Sequence, residues 1–256
     1  MPNQDTRETF AIVRTDESDL DITPIARLLA EPLGFAVADL VQTLGQGFGI
    51  FAENLPAHIA SQCVSLLGNA GVQVRMVPQS AIVEIPELLA LRSGRPDVDV
   101  FFYVGLHRKG AVKWADLLWI DLVSVQEAST EEFDDGELSG DSEGAAVRRT
   151  KNHRLVTKRP LFVDLVISQP WLLLRIPQDR FEFATTGLPT FPTRRQNLIA
   201  LSAMIASRAT EARLGPGLKW TDSGSPPREH RLASQAVYGG FLRWQLTCLA
   251  LTQADA

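Results

Sequence analysis

Apolar residues in the first third of the chain recur at spacings that switch between strand and helix. Glu8 to Arg14 (ETFAIVR) is rich in strand formers, and the polar TDESDLD behind it reads as a loop. Thr23 offers an N-cap with Pro24 at the first helical position. Ile25, Leu28 and Leu29 then share a helical face, which Pro32 and Gly34 bring to an end. Val37, Leu40, Val41 and Leu44 repeat the helical pattern over Ala36 to Leu44, before GQGFG and a second strand at Ile50 to Glu53. Ile59, Cys63, Leu66 and Leu67 predict a helix from about Pro56 to GNAG, where Gly71 suits a left-handed helix end. VQVRMV follows as a third strand.

The pattern changes after Ala81. AIVEIPELLALRSGRP begins as a strand and ends in a Ser-Gly-Arg-Pro break, which marks a junction. Val98 to Leu106 and Val112 to Val125 are dense in aromatic and β-branched residues, and HRKG between them predicts a hairpin turn. LFVDLVIS and WLLLRIP are two further strands around Gln169 and Pro170, with RFEFA a fifth. Thr193 and Gln196 form a capping box for a helix with Leu198, Leu201, Ile205 and Ala209 on its buried face, stopping at Gly215 and Pro216. A last helix starts after Ser234. Val237, Phe241, Trp244, Cys248 and Leu251 line one face of it, and Tyr238, Leu242 and Leu249 widen the apolar arc, so burial is expected. Gly239 and Gly240 cost such a helix roughly 1.5 to 2 kcal/mol against alanine, which close approach of another backbone would explain.

These elements give an α+β fold: a small βααβαβ module at 1–80, a linker at 81–97, and a second module at 98–256. The second module is a mainly antiparallel sheet with two C-terminal helices and a charged mobile loop at 127–159. A sheet capped by a late helix suggests a pleckstrin-homology-like barrel as its architecture. The order β-α-α-β-α-β over residues 8–78, with its glycine-containing exit before the last strand, resembles the C-terminal domain of bacterial ribosomal protein L7/L12. In that family the paired first helices recruit translation factors through several lysines and a small hydrophobic patch. Here those helices carry Arg27, Glu31 and Asp39 and no lysine, so the resemblance implies the fold without the lysine-based recruitment.

Composition adds limits. With 45% hydrophobic and 21% charged residues the chain is an ordinary globular one. MPNQDTRETF lacks a basic region followed by an apolar run, and the longest stretch free of charge, Asn54 to Val74, contains Pro56, His58, Gln62 and Asn69. No secretory signal and no membrane span are expected, and a cytoplasmic location follows. The net charge of −5 is concentrated: Glu127 to Glu143 holds eight acidic residues and no basic one. Arg148, Arg149, Lys151, Arg154, Lys158 and Arg159 follow at once as a basic run that the acidic block is placed to attract.

Each candidate chemistry has a plainer explanation. GQGFG ends a helix and opens a strand, the reverse of a phosphate-binding loop. His58, His107, His153 and His230 lie on separate elements, and Cys63 and Cys248 lack CxxC spacing, so no metal site, disulfide or cofactor is expected. Cys63 sits on a buried helical face, where a thiol is inert. No G-x-S-x-G occurs. Asp116 and Asp121, five residues apart on a strand, fall on opposite faces and make no acid and base pair. The basic run at 148–159 has no interleaved aromatics for stacking on bases, and it is the sequence's candidate interaction site. Trp114, Trp119, Trp171, Trp220 and Trp244 all fall in the second module, which marks it as the place for a core or a contact surface. The reading is a non-enzymatic interaction or regulatory protein that binds another protein. The alternatives are a hydrolase or transferase of unfamiliar type, and a nucleic-acid-associated factor using the basic run.

Overall fold

The computed structural model describes residues 8–18, 20–136, 149–220, 232 and 234–255. The chain is α+β and divides into two compact units, residues 1–88 with 169–173 and 235–256, and residues 89–168 with 174–234.

In the first unit β1 (Phe10–Arg14) is the central strand of a three-stranded antiparallel sheet, flanked by β2 (Ile50–Leu55) and β3 (Val74–Pro78). Three helices interleave with these strands: α1 (Ile22–Leu33), α2 (Val37–Gly47) and α3 (Ala57–Asn69). The order is the expected βααβαβ. Asp21 rather than Thr23 caps α1, its carboxylate accepting from the Thr23 amide. Gly71 takes the left-handed conformation (φ 80°) expected of it. Ile25, Leu29, Leu40, Leu44, Cys63 and Leu67 bury one side of the sheet together with Ile12 and Phe51.

The last helix, α5 (Gln235–Ala254), covers the other side, placing Trp244 among Ala11, Val13, Ile50 and Val77. Two independent contacts explain this docking. The Trp244 indole donates to the Arg14 carbonyl at 2.8 Å, and a Cβ on Gly240 would collide with the Gln46 carbonyl oxygen. The second module expected at 98–256 is therefore corrected: α5, with Trp244, belongs to the first unit, as does Trp171 within 169–173. A boundary drawn along the chain misses a helix that returns over 150 residues to cover an open sheet face.

The second unit is built on a seven-stranded sheet in the order β12-β7-β10-β11-β4-β5-β6. Its strands are β4 (Glu87–Pro96), β5 (Val100–Gly105), β6 (Lys109–Lys113), β7 (Leu117–Ser124), β10 (Leu161–Ile167), β11 (Leu172–Pro177) and β12 (Arg213–Leu214). The linker expected at 81–97 is largely β4, paired with β5 from Leu91 to Pro96. The strand expected over Val112 to Val125 breaks at a 3-10 turn, Trp114–Asp116. One half pairs with β5 and the other with β10. RFEFA forms no strand and leads into a 3-10 turn at Phe183–Thr186.

The helix α4 (Arg194–Arg208) carries the Thr193–Gln196 capping box and buries Leu198, Leu201 and Ile205 against β7 and β10. It ends at Arg208, before Gly215. In place of a charged loop, β8 (Glu127–Gly136) and β9 (Arg149–Lys158) pair as a two-stranded antiparallel sheet, with residues 137–148 outside the described residues.

Candidate functional site

The basic run is held in a register opposite the acidic block. β9 sets Lys158 across from Glu127, Arg154 from Glu131, and Lys151 from Asp134, while Arg149 faces Gly136. Arg159, just beyond β9, is exposed and donates to the Gln126 side chain at 3.4 Å. Arg148 lies outside the described residues.

Asp116 and Asp121, expected to form no acid and base pair, lie on different elements, and Asp121 has another acidic neighbour. Asp116 belongs to the 3-10 turn, whereas Asp121 in the middle of β7 is in register with Asp164 in the middle of β10. Side chains so placed share one face of the sheet. Asp164 is 0% exposed and Asp121 3%. Arg175 of β11 clamps Asp164 with two hydrogen bonds of 2.8 Å, and its guanidinium lies 3.7 Å from the Phe162 ring centroid. Asp121 Oδ1 instead accepts the Gly217 amide at 2.9 Å. Burial, and then the charge of Asp164, raise the Asp121 carboxyl well above its ordinary range, against the amides of Gly217 and Leu122. The result is a carboxyl pair sealed inside a sheet, with Gly217 packed too closely on the Leu122 carbonyl to admit a side chain. Each acid interrupts a strand of apolar residues, WIDLVS and FVDLVIS. That repeated pattern was the available signal for each buried acid, though not for their pairing.

Two clefts open elsewhere. One, of about 430 Å³, lies on the first unit between Leu33, Phe35, Leu40, Phe51 and Leu55, with Glu53 at its rim. Glu53 is already engaged by two bonds from Arg243 of α5, at 2.6 and 2.8 Å, and one from Gln79. The other, of about 450 Å³, lies on the second unit and is lined by Val98, Asp99, Lys113, Trp114, Arg208 and Glu211. The Trp114 indole in its wall donates to the Asp97 and Val98 carbonyls. Among the described residues no three His, Cys, Asp or Glu side chains converge as a metal site would require. Cys63 is fully buried, and burial pushes its thiol up, away from the reactive thiolate.

The outer face of β4, β5 and β6 differs in kind. Phe102 is 40% exposed, Val104 44% and Leu106, just past the end of β5, 55%, while Phe101 and Tyr103 point into the core. Phe102 lies in register between Arg95 and Ala111, and Val104 between Ser93 and Lys109. Arg95 stacks over the Phe102 ring at 5.3 Å. Lys109, Ala111 and Lys113 complete the face on β6, all exposed. Sequence reasoning missed this face because VFFYV is apolar at every position, so its own period cannot choose the outward side. The alternation of β6, Lys-Gly-Ala-Val-Lys, would have chosen it.

No family model, curated protein or solved structure matches the chain. Among the described residues no helix is long and apolar enough to cross a membrane.

Proposed function

We propose that the chain is a non-enzymatic interaction protein that contacts a protein partner through the outer face of β4, β5 and β6. One observation carries this reading: three large apolar side chains, Phe102, Val104 and Leu106, stand 40 to 55% exposed in one patch bordered by cations. Contiguous exposed apolar groups with a polar rim are the pattern of contact surfaces, whereas isolated ones need no explanation. The strongly shifted carboxyl, Asp121, supports structure rather than turnover, since no substrate atom reaches a group that is 3% exposed. The pairing of β8 with β9 likewise supports the basic run as one strand of a two-stranded ladder rather than as a nucleic-acid surface.

We also propose that residues 8–78 form an L7/L12-like domain. The order β1-α1-α2-β2-α3-β3, the central position of β1 and the left-handed Gly71 exit support it. An apolar hollow lined by Leu33, Phe35 and Leu40 beside Phe51 and Leu55 of β2 is consistent with that reading.

The test is retention of a partner by the tagged full chain at low and high salt. Wild type is expected to hold a protein partner at high salt, and Phe102→Asp/Val104→Asp, matched in circular dichroism, to release it. Equal retention by both chains would overturn the reading.

A further inference from the structure

From the charge and register of this face we infer that the partner segment is an extended acidic strand, which adds to the sheet alongside β6. The inference rests on the reading of the face as the interaction surface. β6 is the last strand of its sheet, with β5 its sole strand partner among the described residues. An outermost strand presents a row of backbone donors and acceptors to an incoming chain.

The charge of this region selects what comes in. Residues 89–113 hold five cations, Arg92, Arg95, Arg108, Lys109 and Lys113, against two acids, in a chain of net charge −5. Of the two acids, Asp97 pairs with Arg95 at 3.9 Å and accepts the Val98 amide, and Asp99 lines the cleft beside Lys113. Lys109 and Lys113 have no carboxylate within ion-pairing distance among the described residues, and they stand on the same face with the small Ala111 between them.

A strand laid beside β6 places alternate residues opposite Lys109, Ala111 and Lys113. Complementarity therefore asks for acidic, apolar and acidic residues at every second position, the apolar one extending the row of Phe102 and Ala111. Because Lys-x-Ala-x-Lys reads the same both ways, a parallel and an antiparallel strand need the same pattern. A second copy of this chain does not fit, since β6 laid antiparallel on β6 sets Lys109 against Lys113. Single-stranded nucleic acid finds one aromatic ring on the face, Phe102, where stacking platforms use several.

The probe is a short labelled peptide centred on Glu-Thr-Val-Thr-Glu, followed by fluorescence anisotropy with the full chain at low and high salt. Its controls are the Lys-Thr-Val-Thr-Lys peptide, and Glu-Thr-Pro-Pro-Glu, in which the two prolines remove a ladder donor from an antiparallel and from a parallel strand alike. Two ion pairs of ordinary strength predict that wild type prefers the acidic peptide by about tenfold at low salt. The proline peptide should lose most of that affinity, and Lys109→Glu/Lys113→Glu should reverse the preference. Equal binding of all three peptides, or none, overturns the inference, as would phosphatidylserine vesicles binding through the two lysines while the peptides do not. If the peptides fail to discriminate yet Phe102→Asp/Val104→Asp still releases the partner, strand addition is wrong and the interaction face stands. If neither responds, both are wrong.

Discussion

Asp121, Asp164 and Arg175 show at the residue scale how buried charge is accommodated. Arg175 gives Asp164 a complete ion pair, and Asp121 is left with amides and a raised carboxyl. Breaking a buried pair from one side strands a charge, so Arg175→Met is expected to cost about 3 to 5 kcal/mol in urea unfolding. Arg175→Met/Asp164→Asn should recover part of that loss. A carboxyl whose folded pKa is raised above 3.8 contributes stability in full below that value, and this is lost as pH rises through the folded pKa. Asp121→Asn keeps an oxygen for the Gly217 amide and removes the titration. It should therefore match or exceed wild type at neutral and alkaline pH, with a flatter pH profile. An equal loss at every pH would mean that the proton is not what the site stores. The acids were legible as charges inside apolar strands; their pairing was not, because the β7–β10 register is a long-range fact.

At the scale of elements, the helices and most strands follow the hydrophobic period, and the capping box at Thr193 and Gln196 forms as read. The departures share a cause. Trp114–Asp116 turns sharply inside a segment dense in strand formers, at the Ala115-Asp116 pair, and the linker becomes β4 because pairing with β5 overrides the break signal at Ser-Gly-Arg-Pro. The paired glycines of α5 give a sharp test. Helix propensity alone predicts that either alanine gains up to about 1 kcal/mol. Gly239→Ala should show that gain, since its nearest neighbour is the Ile85 methyl at 3.5 Å. Gly240→Ala should instead destabilise, because the new methyl meets the Gln46 carbonyl; thermal unfolding of the two variants checks the contrast. Arg243 of α5 adds a pH dependence of the opposite sign to that of Asp121. Burial raises the Glu53 carboxyl, but the bonds from Arg243 and Gln79 bring it below 4.5 overall. Its stability is present above that value and is lost as pH falls through the folded pKa, and Arg243→Met should remove this acid-side slope.

For the molecule as a whole, the α+β class was readable from pattern, while the division of the chain was not. Chain order assigned α5 to the second module, yet Trp244, Gly240 and Arg243 tie it to the first unit. Functional reasoning met the same limit. The basic run at 148–159 was conspicuous as composition, but its placement in β9, with Lys151, Arg154 and Lys158 in register with acids of β8, was not. The face formed by Phe102, Val104, Lys109 and Lys113 needs the pairing of β5 with β6 before it exists at all. The most direct measurement is site-specific photocrosslinking in the source cells, with a benzophenone side chain at position 104 and, as a comparison, at the exposed Lys158 and Phe35 positions. One dominant protein adduct is expected from position 104, lost when Lys109→Glu/Lys113→Glu is added. Adducts arising equally from all three positions, or none from 104, would contradict the proposed interaction face.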